Sequence, residues 1–225
     1  MSARDVGIRS YVIRIGRMSD TQKDALRTLY PRFGVQWEPG RLLDSEVLCG
    51  KKAPFVVEVG FGMGAATAAI AEALPDTVFL GLEVHAPGVG KLLSEIDARK
   101  LENLRVCRHD ATEVVDSMIA PDTVDGFNIF FPDPWPKKRH HKRRIMNPAF
   151  VKLMASRLKA GGWLYYVTDW EEYAETTLDV LSAEPSLSNA YDKWARRESW
   201  RPVTKFEQRA LDDGRVVREL KFTKV

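Results

Sequence analysis

"PFVVEVGFGMGAATAAIAEAL", Pro54 to Leu74, changes its periodicity halfway along. Its first seven residues form a short β-branched run, the pattern of a buried strand. From Met63 the stretch is Ala-rich and helical, and Pro75 stops it. Between the two lie Gly60, Gly62 and Gly64. Three glycines at alternate positions let a backbone turn tightly and approach a ligand closely, with a helix N-terminus just behind. A strand, a glycine turn and a helix make the opening half of a βαβ unit.

The alternation continues down the chain. "TVFLGLEV" (77–84), "LRVCRHD" (104–110), "VDGFNIFF" (124–131) and "WLYYVTD" (163–169) read as strands. "PGVGKLLSEIDARKL" (87–101) and "ATEVVDSMI" (111–119) read as helices. Asn147 is expected to cap a further helix with Pro148 at its first position, running to a stop at Gly161-Gly162. Another helix is expected over 170–182, then a short one in "TKFEQRALDDG" and a long alternating strand in "RVVRELKFTKV". Strands alternating with helices imply right-handed crossovers and a doubly wound, mostly parallel α/β sheet. At 225 residues the chain reads as one large domain over 41–225 behind a basic N-terminal arm at 1–40, the start of which is expected to be mobile.

In such a sheet, ligands sit beyond the carboxyl ends of the strands. The first strand carries Glu58 just before its glycines, and the second ends near Glu83, where a carboxylate can take both hydroxyls of a ribose. The third ends in Asp110, placed to accept from an adenine amino group, and the fourth in Asp133. Taken singly, each acid has a plain structural reading, and Asp110 could simply cap the helix that follows it. Four strands in succession ending on or near an acid are the pattern of a nucleoside pocket. The loop also satisfies a relaxed dinucleotide fingerprint through Gly60, Gly62 and Ala65, so the glycines leave a dehydrogenase open.

Charge adds a second theme. The net charge is only +3, yet residues 137–159 carry nine Lys or Arg and no acid, while 53–136 carry five bases against thirteen acids. Residues 137–144 are all Lys, Arg or His, directly after the Asp133-Pro134-Trp135-Pro136 stretch. A concentrated basic segment on a nearly neutral protein suggests a polyanion docked at one place. Cys49 and Cys107 form no CxxC, and His85, His109, His140 and His141 have no metal spacing, so neither a disulfide framework nor a metal centre is indicated. No apolar run approaches a membrane span or a signal peptide, and the expected compartment is the cytoplasm.

Glu58-x-Gly-x-Gly-x-Gly resembles the first motif of the class I S-adenosylmethionine-dependent methyltransferases. "FFPDPWPKKRHHKRRI", followed by "VTD" and "TKFEQR", closely resembles the bacterial tRNA (guanine-N7)-methyltransferase family, over nearly the whole chain from about Arg9. The resemblance implies a Rossmann-like sheet with an antiparallel C-terminal strand. It also implies methyl transfer from S-adenosylmethionine to N7 of a guanosine in the variable loop of tRNA, leaving S-adenosylhomocysteine. Glu58, Gly60, Gly62, Gly64, Glu83, Asp110 and Asp133 would then hold the donor, with Asp133 catalytic. Lys137, Asp169, Thr204, Lys205, Phe206 and Glu207 would meet the target nucleoside. Arg139, His140, His141, Lys142, Arg143 and Arg144 would meet the RNA. The protein would act as a monomer or homodimer.

Two rival readings explain less. An NAD-dependent oxidoreductase accounts for the glycines but gives the cationic arm no purpose. A non-catalytic RNA-binding module accounts for the arm but not for acids at four strand ends. Thr204 to Glu207 also fits a capping box, and Asp169 to Glu172 has the same spacing. Trp135 could be a core aromatic or a platform for a splayed base, while Trp194 and Trp200 read as packing residues.

Overall fold

A computed structural model describes residues 9–11 and 18–225 of the chain. In order, these form α1 (Asp20–Thr28), α2 (Tyr30–Phe33), β1 (Gly34–Val35), α3 (Ser45–Cys49), β2 (Phe55–Val59), α4 (Ala65–Ala73) and β3 (Val78–Leu82). Then come α5 (Ala86–Arg99), β4 (Leu104–Cys107), α6 (Ala111–Met118), β5 (Val124–Phe130) and a 3-10 helix over Lys138–Arg143. The chain ends with α7 (Pro148–Arg157), β6 (Leu158–Thr168), α8 (Glu171–Ser182), β7 (Leu187–Asn189), α9 (Lys205–Asp212) and β8 (Arg218–Lys224).

The strands make one sheet in the order β1-β4-β3-β2-β5-β6-β8-β7. All pairings from β1 to β6 are parallel, and β8 runs antiparallel to both β6 and β7. The doubly wound fold and its reversed C-terminal strand are as the sequence leads one to expect. Every residue of β2 and β3 is buried, because helices cover both faces and a parallel strand there has no wet side. One face packs Val57, Leu80, Phe127 and Tyr166 under α6, α7 and α8. The other packs Val56, Phe79 and Tyr165 under α1, α4 and α5.

Local chemistry sets the helix starts. Asn147 accepts from the Phe150 N–H at 3.1 Å with Pro148 at the first helical position. Asp110 caps α6 by accepting from Thr112 N at 2.8 Å. Both caps were legible.

Three expectations need correction. The helix from Pro148 stops at Arg157, and Gly161 and Gly162 lie inside β6. A Cβ at Gly162 would sit 3.0 Å from the Asp125 carbonyl, so the glycines let β6 bend past β5 where their register shifts. The C-terminal strand begins at Arg218 rather than Arg215, and the three-residue β7 pairs along its outer edge, too short to show an alternation in sequence. Finally, the N-terminal arm drawn to residue 40 is shorter from its inner end. β1 extends the sheet beside β4, and α1 packs on α5 so closely that a Cβ at Gly90 would lie 2.6 Å from the Gln22 carbonyl. The start of the arm, for which mobility is the expectation, falls largely on 1–8 and 12–17, outside the described residues. Among the described residues, no helix is long and apolar enough to cross a membrane.

Candidate active site

Strand order reverses between β2 and β5, whose connections depart in opposite directions, and a crevice opens beyond their carboxyl ends. A cavity of about 300 Å³ lies there. Its walls include Glu58, Gly60, Gly62, Glu83 and Asp133 from the strand ends, with Thr204 and Phe206 from the start of α9. Gly64, Asp110, Lys137, Asp169, Lys205 and Glu207 are not among the lining residues.

Gly60, Gly62 and Gly64 all have positive φ, at 75°, 59° and 76°. A side chain at any of them would be strained, which is why the loop needs glycine. An added Cβ at Gly60 or Gly62 meets nothing within 4 Å, so the space above the loop is open to a ligand. The loop is held from below by the first turn of α5, where a Cβ at Gly88 would come within 1.9 Å of the Gly62 carbonyl.

Glu83 is fixed by this loop. Its Oε2 accepts from Gly62 N at 2.9 Å, and its Oε1 from Val84 N at 2.7 Å and His85 N at 3.0 Å. Of the roughly four acceptor positions on a carboxylate, three are taken by described residues. The expected two-pronged grip on a ribose becomes a single free position on Oε2. Glu58 is 3 % exposed, and burial pushes its carboxyl up to about 7; Thr67 offsets this, while the charge of Glu83 adds to it.

Asp133 sits on a loop whose shape the sequence does not reveal. Phe131 and Trp135 flank it with φ of 48° and 47°, a region that non-glycine residues seldom enter. Its side chain is exposed, because Pro132 to Pro136 leaves the sheet at the cavity rim. The Trp135 indole donates to the Ser10 carbonyl at 3.1 Å, and Arg143 lies 5.3 Å from its ring. That ring is therefore neither core nor an open stacking surface; it fastens the N-terminal segment. Ser10 and Tyr11 line the cavity in consequence, as does His109, stacked on Trp37 at 4.2 Å. None of these contacts has a periodicity or spacing signal, because each joins segments far apart in sequence.

The cationic run is a 3-10 helix with no buried residue, on which Arg139 and Lys142 are exposed. The imidazole of His140 is held below its usual range, by desolvation and then by Arg139 and Arg143. Arg144 departs from the expectation. It is 4 % exposed, paired with Glu172, and donates to the Pro134 carbonyl at 3.0 Å, so it braces the Asp133 loop and is not presented to RNA.

Two target contacts are also corrected. Glu207 is 3 % exposed and bound to Arg201 at 2.7 and 3.0 Å, so its carboxylate faces the interior. Thr204 does cap α9, accepting from Glu207 N at 3.0 Å, but Glu207 does not complete the box. Asp169 pairs with Arg215 and does not cap α8, whose N-cap is Trp170. Trp194 and Trp200 pack against the two cores as expected.

The chemistry of the lining selects among ligands. Among the described residues, three carboxylates line the cavity and no Lys or Arg does. Such a lining suits a nucleoside that carries a cationic sulfonium and ammonium. The residues therefore fit S-adenosylmethionine.

A family described as "Putative methyltransferase" matches residues 52–220. A tRNA (guanine-N(7)-)-methyltransferase of Paraburkholderia xenovorans is 54% identical over 217 residues, 96% of this chain and 83% of that protein. One of Nitrosospira multiformis is 49% identical, covering 96% and 94%. Among solved structures, the aminoglycoside resistance methyltransferase NpmB1 superposes with a TM-score of 0.55 at 18% identity, over 84% of this chain and 95% of that one. A SAM-dependent O-methyltransferase of Thermotoga maritima gives 0.52 at 19%, over 80% and 63%. The last two likenesses concern the fold. With half its residues shared across nearly its full length, the chain belongs to the tRNA (guanine-N(7)-)-methyltransferase family.

Proposed function

We propose that this protein methylates N7 of a guanosine in the variable loop of tRNA, with S-adenosylmethionine as donor and S-adenosylhomocysteine as product. The observation that carries this reading is an adjacency. An anionic, nucleoside-sized cavity and an exposed cationic helix meet on one loop, with Asp133 on the cavity wall and the basic residues starting at Lys137.

When bound, the donor supplies an electrophilic methyl group on a sulfonium. Guanine N7 is an unprotonated acceptor on the major-groove edge, so no general base is required. The protein's part is positioning and electrostatics. Glu58, Glu83 and the glycine loop hold the donor, while Asp110 orders the start of α6 beside it. Asp133 offers a fixed negative charge where positive charge leaves sulfur and reaches the guanine ring. Thr204 and Phe206 form the wall that seats the nucleoside, with Lys137, Lys205 and Asp169 outside the cavity itself. Arg139, Lys142 and Arg143 hold phosphates of the incoming tRNA. The reaction takes place in the cytoplasm, and the protein works as a monomer or homodimer.

The test is nucleoside mass spectrometry of tRNA incubated with protein and S-adenosylmethionine. 7-Methylguanosine is the expected product; its absence at catalytic protein concentrations overturns the reading.

A further inference from the structure

Behind the wall that carries Thr204 and Phe206 lies a buried ionic network, and Arg201 is its centre. This side chain is 1 % exposed. Its Nη1 donates to Glu207 Oε2 at 2.7 Å, and its Nη2 to Glu207 Oε1 at 3.0 Å and to Glu219 Oε1 at 2.7 Å. Its Nε donates to the Tyr165 hydroxyl at 3.2 Å, and that hydroxyl donates in turn to Glu219. Glu207 belongs to α9, Glu219 to β8 and Tyr165 to β6. One guanidinium thus ties a helix to two strands.

The helix has little else to hold it. Of the eight residues of α9, Glu207 and Ala210 are the buried ones, and Phe206 is 60% exposed. With so little apolar area against the sheet, the orientation of α9 depends on Glu207. The same residue closes the first turn, because its N–H is the donor to the Thr204 hydroxyl. Whatever fixes Glu207 therefore fixes Thr204, the cap of α9, and Phe206 in its first turn, both of which line the cavity. The network also abuts the cavity floor. Phe130 lines the cavity, lies edge-on to Tyr165 at 5.5 Å and sits 5.9 Å from the Arg201 guanidinium.

An ionic network of this kind is a poor means of adding stability, since apolar side chains of the same volume often serve as well. What it supplies is direction. A planar fork with five donors can satisfy two carboxylates and a hydroxyl at fixed angles, and no other side chain can.

We propose that Arg201 is a positioning residue for methyl transfer. Acting through Glu207, it sets the first turn of α9 so that Thr204 and Phe206 seat the target nucleoside against the methyl donor. The inference rests on the function proposed above. It predicts that loss of Arg201 harms turnover while leaving the donor-binding strand ends and the phosphate-binding arm intact.

The experiment compares wild type, Arg201→Lys, Arg201→Met and the double variant Arg201→Met/Glu219→Gln. The double variant keeps Glu207, beside which Arg197 lies at 3.4 Å, and removes one of the buried charges that Arg201→Met would strand. Folded sites are counted by calorimetric titration with S-adenosylhomocysteine, and 7-methylguanosine formation is then expressed per donor-binding site. A purely structural role lowers the number of sites but not turnover per site. The proposal expects kcat per site to fall on the order of a hundredfold in both Met variants, with KM for tRNA little changed and partial recovery in Arg201→Lys. If Arg201→Met does not fold, the double variant decides. Wild-type kcat per site in the double variant overturns the proposal. Absence of 7-methylguanosine from the wild type instead refutes the functional reading.

Discussion

Arg144 closes the cationic run by turning inward to Glu172. Its Nη1 donates to Glu172 Oε1 at 2.9 Å, its Nη2 reaches the other oxygen, and its guanidinium lies 4.5 Å over the Tyr173 ring. The Arg144 hydrogen bond holds the Glu172 carboxyl down at about 2. One sequence run thus contains two kinds of residue: exposed cations available to phosphate, and a buried brace for the Asp133 loop.

That division is testable. Replacing Arg139, Lys142 and Arg143 with Ala is expected to flatten the dependence of log K for tRNA on log salt by about 2–3, at ~0.7–0.9 per phosphate contact. Arg144→Ala is expected to leave the slope alone and to cost about 2 kcal/mol of stability, held to that level because Glu172 is half exposed. With a lowered carboxyl, the pair's contribution is present above the ordinary value near 4.5 and is lost as pH falls from there through about 2. Equal salt slopes for wild type and the triple variant would show the arm to be mere surface.

Glu58 gives stability the opposite pH dependence. A carboxyl raised to about 7 binds more protons in the folded state than in the unfolded one between roughly pH 4.5 and 7. Stability from this group is fully present below that window and is lost as pH rises through it, by up to about 3 kcal/mol. Glu58→Gln, which stays neutral, is expected to remove that slope. Urea unfolding midpoints measured across the window check it, and parallel profiles for the two proteins would refute the buried-acid account.

Asp133 separates charge from hydrogen bonding. If its fixed negative charge assists the moving positive charge, Asp133→Asn is expected to resemble Asp133→Ala, with turnover down on the order of a hundredfold. Single-turnover rates are the measurement. Near-wild-type rates for Asp133→Asn would reduce the residue to a neutral orienting group.

Glu83 has two tasks, since it offers one free acceptor position to the donor and pins Gly62. Glu83→Ala is expected to weaken S-adenosylhomocysteine about ten- to a hundredfold while leaving tRNA binding unchanged. Calorimetry for the first and a labelled-tRNA titration for the second decide. Unaltered affinity for S-adenosylhomocysteine would remove Glu83 from the site.

The sequence alone determined the strand–helix alternation, the doubly wound class and the acids at the strand ends, because these depend on neighbours a few residues apart. The turn at Gly60 to Gly64, the caps at Asp110 and Asn147, and the density of charge after Asp133 are all local chemistry. Tertiary structure alone decided which polar side chains face the cavity and which face the interior. Glu207 and Arg144 look in sequence like their exposed neighbours, yet each is buried by a partner that local pattern did not pick out, Arg201 for one and Glu172 for the other. The tie between Trp135 and Ser10 spans 125 residues, and no periodicity carries that distance. Periodicity reports the face of an element. A charge pair is fixed only when the chain has brought both partners out of water, where leaving either one alone would be costly.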